Sequence, residues 1–189
     1  MRNSTAMILG ACLILAGCGK PPTTVVHEFY NAPQDRYFRT ANAAEAAALK
    51  SDSAAGETDT GKTFLAYPAS DYPKDAVPVC RFYGSPTLGP NSHFFTADGG
   101  ECQKLRDMQQ STPATEKRWN YEGIAFAVRL PAGDKCPDDA PVPVYRAYND
   151  GFKRGKDSNH RLMTEIAVYQ SMIAAGWVGE KIVMCTPAA

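Results

Sequence analysis

Neither sign of charge is in excess: 20 Lys and Arg face 20 Asp and Glu over 189 residues. No long basic segment stands out, which argues against nucleic acid and against a partner held by membrane-surface electrostatics. Catalytic signatures are missing as well: there is no G-x-S-x-G, no H-E-x-x-H and no glycine loop shaped to cradle phosphate. Cysteines beyond the leader never fall at C-x-x-C spacing, so zinc and thiol-redox chemistry find no support, and no metal or cofactor is expected. Long apolar runs are absent too. The longest, Ala6 to Leu15, is too short to cross a hydrocarbon core of about 30 Å.

That run has a charged front, Arg2, and a small-residue end, Leu15-Ala16-Gly17-Cys18, the pattern of a secretory leader. The tetrapeptide LAGC resembles the lipobox of bacterial lipoproteins. The resemblance implies acylation of Cys18, a signal peptide over residues 1–17 and a tether over 18–24. Acyl chains at one cysteine exceed the two signals that stable anchoring requires. Gly19 stands where an inner-membrane retention aspartate would, so the resemblance places the chain in the cell envelope, at the outer membrane of a Gram-negative bacterium.

Four cysteines follow the leader: Cys80, Cys102, Cys136 and Cys185. An even number in an exported chain reads as two disulfides, with three connectivities open.

What the chain has in abundance is self-similarity. TVVHEFYN, VPVCRFYG and VPVYRAYN align on Tyr30, Tyr83 and Tyr148, and each is followed by an aromatic or apolar stretch near a threonine: RYFRT, HFFT and HRLMT. A helical run comes next, from Asn42, Asp98 and Glu165, and a closing strand ends each copy, from Gly56, Trp119 and Gly176. Phe64, Phe126 and Met184 occupy one equivalent position. The repeat predicts three strand-strand-helix-strand units. Asn42 and Asp98, each with Glu three residues on, read as helix N-caps, and Gly176 as a helix stop.

One such unit cannot bury its own apolar face, so the expected fold is a single α+β, β-rich, pseudo-threefold domain over 25–189, with units of about 25–69, 77–130 and 141–187 and trefoil-like or small propeller-like closure. Within-unit pairing then joins Cys80 to Cys102 and Cys136 to Cys185. Arg81 and Arg146 are expected to lay their stems along neighbours and keep the guanidinium in water.

The series V-P-V-x-R-x-Y, H-F-F-T and W-x-Y-E-G-x-A-F resembles an uncharacterised bacterial repeat domain of unknown function, found in lipoproteins and as a tail on secreted enzymes. It covers about Val25 to Pro187 and is weakest in the first unit, where Arg36 stands near the position of the histidine and Glu57 at that of Trp177. The resemblance implies an accessory binding module and transfers no catalytic residue.

A ligand site, if built from the repeated residues, would use Tyr83, Trp119, Tyr121, Tyr148 and Trp177 as stacking faces for sugar rings. Arg81, Arg146, His93 and His160 would be the hydrogen-bonding partners, in a cleft between units. Core packing is the competing reading for each aromatic. Cell-wall or other glycan is thus the first ligand class. An envelope protein that contacts other proteins is the alternative, and a hydrolase with His93 or His160 as base the second. Residues repeated by symmetry point away from that last reading.

Overall fold

The computed structural model describes residues 19–52, 56–85 and 87–189. The leader, with the lipidation expected at Cys18, lies outside the described residues. None of the described helices is long and apolar enough to cross a membrane.

The chain runs strand, strand, helix, strand three times. The first unit has β1 (Thr24–Asn31), β2 (Arg36–Thr40), α1 (Ala43–Ser51) and β3 (Glu57–Ala66). The second has β4 (Val77–Ser85), β5 (Gly89–Thr96), α2 (Gly99–Ser111) and β6 (Trp119–Val128). In the third, β7 (Val142–Tyr148), β8 (His160–Met163), α3 (Ile166–Ala174) and β9 (Val178–Thr186) complete the series. In every unit the first strand is the centre of an antiparallel three-stranded sheet, flanked by the second and the last. The three sheets stay separate, so the shared barrel of a trefoil-like closure is not formed among the described residues.

Register confirms the equivalences. Val26 faces Phe64, Val79 faces Phe126, and Val144 faces Met184. Those six side chains form much of one central core, to which all three units contribute. Both faces of the central strand are covered: in β4, Val79 and Phe82 are fully buried although they point to opposite sides.

Pairing corrects two local readings. Tyr30 pairs with Tyr37, Tyr83 with His93, and Tyr148 with His160. Tyr37, not Arg36, therefore holds the histidine position of the first unit. Counting on from these pairs, Thr164 matches Ala41 and Ala97, one place later than Thr40 and Thr96. Glu57 does hold the place of Trp119 and Trp177, each standing just before the residue paired with the unit's tyrosine.

The helix starts follow the local chemistry. Asn42 accepts from the amides of Ala44 and Glu45, and Asp98 from that of Glu101, satisfying amides that the helix leaves orphaned. Glu45 does not reach back to the cap as a capping box would. Instead the Thr40 hydroxyl accepts from the Asn42 amide and donates to Glu45. At the end of α3, the amide of Gly176 bonds to Ile173 and that of Trp177 to Met172, with Gly176 at φ 89°. This is the Schellman arrangement, which needs a left-handed residue.

Disulfides join Cys80 to Cys102 and Cys136 to Cys185. The first ties β4 to α2 within one unit. The second ties the approach to the third unit to its last strand, next to an antiparallel bridge between Arg129 and Cys185. A matching bridge joins Tyr67 to Ala127, so the closing strands of successive units meet at one end of the domain. The hairpin turns meet at the other, where Arg36 donates to Asn91 and Asn159 donates to the carbonyl of Asp35.

Candidate functional site: the seams between units

Two of the three seams are built around a cation on a central strand. Arg81 holds Glu122 of its own sheet at 2.9 Å and Glu45, in the first turn of α1 of the preceding unit, at 2.9 Å. Arg146 repeats the pattern, with Glu180 of its own sheet at 2.7 Å and Glu101, in the first turn of α2, at 3.3 Å. Arg146 also donates to the carbonyl of Phe95 across the seam. The guanidinium of Arg146 is largely buried, contrary to the expectation of a wet one, because two carboxylates, the Phe95 carbonyl and the Phe94 ring surround it at the wall of its cleft. Paired carboxylates make that burial tolerable.

Both arrangements open onto a cleft. The first, of about 410 Å³, is lined by Thr40, Asn42 and Glu45 on one side and Arg81 and Glu122 on the other. The second, of about 490 Å³, is lined by Thr96, Asp98 and Glu101 opposite Arg146. At most positions these are the same cleft made twice, although Glu122 lines the first and its equivalent Glu180 does not line the second.

The third seam, between the third and first units, is different. Glu28 stands where the other units have arginine and is fully buried. It receives Arg39 at 2.8 Å, Arg161 of the third unit at 2.9 Å and the hydroxyl of Thr60 at 2.9 Å. Thr60 occupies the place of Glu122 and Glu180, and Val168 that of Glu45 and Glu101. The acid now sits on the central strand and the cations come from the hairpin strands β2 and β8, so the seam remains ionic. Burial brings Arg39 down to about 10, against the pull of Glu28, so it stays a cation at neutral pH. The opening here is only about 230 Å³ and is lined largely by apolar groups such as Val25, Phe64 and Val142.

The histidines serve as ring spacers. His93 lies 4.7 Å from Tyr83 and His160 4.7 Å from Tyr148, centroid to centroid, as Tyr37 lies 4.7 Å from Tyr30. Burial lowers the pKa of His93 against the pull of Glu122, and pushes His160 down to about 3 with help from Arg146. Both rings are neutral at pH 7. Their Nε2 atoms lie 3.4 Å from Glu122 and 3.8 Å from Glu180, while both Nδ1 atoms lack a partner. A base that protonates only near pH 3 removes little from a substrate at neutral pH.

The aromatic candidates do not converge. Trp119 packs on Phe94 and Tyr121 on Phe82, in a small core beneath α2 that includes the Cys80–Cys102 disulfide. Trp177 belongs to another small core beneath α3, with Ala147 and Met172, and meets Tyr37 edge-on. Of the proposed stacking faces, Tyr121 lines a surface hollow with Arg106 and Arg118, and its ring lies under the Arg106 guanidinium at 5.0 Å. Tyr83 hydrogen-bonds Asn91, and Tyr148 the hydroxyl of Ser158. Packing claims these rings, and only Arg81 and Arg146 reach the clefts.

The acids of the seams, Glu45, Glu101, Glu122 and Glu180, were not singled out from the sequence as site residues. Their signal was present: Glu follows the N-cap by three residues in two units, and W-x-x-E opens the closing strand in two.

No curated protein and no solved structure matches the chain. A family model does match, in two adjacent segments covering residues 13–110 and 105–186, in keeping with internal repetition. With most of its length matched, the chain belongs to the family described as domain of unknown function DUF5648.

Proposed function

We propose that this protein is an exported, non-catalytic binding module, lipid-anchored through Cys18 in the cell envelope, whose paired seam clefts take up glycan. In this reading the three sheets surround a common axis in the manner of a small propeller, and the clefts lie between its blades. The observation that carries it is the duplication of one polar cleft, with Arg81 and Glu45 lining one copy and Arg146 and Glu101 the other, each arginine also paired to an acid of its own sheet, Glu122 or Glu180. Volumes of 410 and 490 Å³ fall within the range of small-molecule sites. Carboxylates accept from sugar hydroxyls, and the cap residues Asn42 and Asp98 add further polar groups. Recognition is through hydrogen bonds rather than ring stacking, since the Trp and Tyr side chains are spent on packing. Two like sites suit a polymer with repeating units, where modest affinities multiply.

The test is calorimetric titration of purified sacculi and a soluble glycan panel into the protein. Binding to at least one glycan, weakened tenfold or more in the E45Q/E101Q variant, is the expected result. No heat above that of a denatured control would sink the glycan reading. For the anchor, labelled palmitate should enter the wild-type chain and not C18S; equal labelling of both would refute it.

A further inference from the structure

The balanced charge of the whole chain conceals one local imbalance. The turn between β7 and β8 carries Phe152-Lys153-Arg154-Gly155-Lys156, and Phe152 is 86% exposed, far beyond any other large apolar side chain among the described residues. Hydrophobic groups are scattered singly on many surfaces, but this one is held out by a rigid frame. The Asn149 side chain donates to the carbonyl of Asp157 and accepts from the amides of Gly151 and Asn159. The Phe152 amide donates to the Tyr148 hydroxyl, and Arg154 donates to the carbonyl of Gly176. Gly151 admits no side chain, because a Cβ there would lie 2.3 Å from the Asp157 carbonyl oxygen. Asp157 is in turn fixed to the Asn91 amide of the neighbouring hairpin.

The two acids of the turn do not offset its cations at the tip. Asp157, though exposed, is bonded to the Asn91 amide at the base of the turn, and Asp150 is largely covered and pairs with Lys153 at 3.6 Å. Lys153 itself is 76% exposed, and Arg154 and Lys156 are exposed beside it. A projecting aromatic ringed by cations has the chemistry of a wedge for an anionic bilayer: the ring enters the interface, and the ammonium and guanidinium groups meet lipid phosphates.

From this we propose that the Phe152 turn docks the protein onto an anionic phospholipid surface. The turn is at the hairpin end of the domain, about 25 Å along the central strand from where the chain enters at Thr24, so the contact is separate from the proposed anchor and from the seam clefts. The chain from residue 19 onward holds every described element and serves for the experiment. In co-sedimentation with vesicles of about 70% phosphatidylcholine and 30% phosphatidylglycerol, whose negative surface potential attracts Lys and Arg, it is expected to bind at least tenfold more tightly than to pure phosphatidylcholine. F152S and K153S/K156S should each lose most of that difference. In F152W, emission should shift to the blue and be quenched by brominated lipid on the anionic vesicles. Equal binding of wild type and F152S, or no spectral shift in F152W, overturns the proposal. So does equal binding to neutral and anionic vesicles.

Discussion

Replacing Glu28 with glutamine removes one negative charge from the closing seam and leaves two guanidinium groups without their partner. The ion pairs of Arg39 and Arg161 both end on Glu28, and the two arginine side chains are only 4% and 12% exposed. Breaking a buried pair costs about 3–5 kcal/mol, because the remaining charge stays desolvated. For a domain of this size each kcal/mol moves Tm by about 2–4 °C, so E28Q should lower Tm by roughly 6–20 °C. The contrast is E45Q at the first seam. Glu45 is 32% exposed, and Arg81 retains Glu122 when it is lost, so the expected loss is about 0–1 kcal/mol. Thermal melts followed by circular dichroism, with urea titration to check that the m-value is unchanged, measure both. E28Q/R161Q should recover part of the loss of E28Q, since it removes one of the stranded cations. Equal destabilisation by E28Q and E45Q would refute the claim that burial, not charge pairing as such, makes the third seam the critical one.

The folded pKa of His160, at about 3, lies well below the value of about 6.5 in an unfolded chain. Between the two the unfolded state binds a proton that the folded state refuses, so stability falls as pH drops below about 6.5. By pH 5 this group alone accounts for a loss of about 2 kcal/mol. H160Y, which copies the Tyr30–Tyr37 stack of the first unit, should flatten that acid limb; an unchanged difference in stability between pH 7 and pH 5 would contradict the assignment. The disulfides span 22 and 49 residues, so chain entropy gives about 3 and 4 kcal/mol. Denaturant melts of C80A/C102A and C136A/C185A should rank in that order, and a larger loss from the shorter loop would show that strain or packing dominates.

The repeat was legible because periodicity and turn chemistry are local. Val26, Val79 and Val144 announce themselves by spacing, and the caps at Asn42 and Asp98 by the Glu three residues on. The first unit looked worn because it was compared only with its siblings. Glu28 breaks the arginine pattern, and its own unit supplies only one of its two counter-ions, Arg39. The other is Arg161, which lies 133 residues away and follows a histidine that drew attention to itself. The same limit applied to the aromatic residues. Composition could nominate Trp119 and Trp177 as stacking faces, but whether a ring faces solvent or the underside of its own helix depends on where α2 and α3 settle, and hydrophobic burial decides that in three dimensions. Tyr37 was missed for a simpler reason: it follows Tyr30 by 7 residues, where His93 follows Tyr83 by 10 and His160 follows Tyr148 by 12, and only the strand pairing shows which residue faces Tyr30.

The exchange of charge at Glu28 also bears on assembly. Three identical seams would be interchangeable. A unit could then meet the wrong neighbour, or the open ends of one chain could join those of another and propagate head to tail without closing. An arginine from the first two seams brought against Arg39 and Arg161 would face like charge in a dry site, a mismatch that disfavours the wrong pairing. The odd seam therefore works as a key: it distinguishes the contact between the third and first units from the other two, so that the three units are not interchangeable.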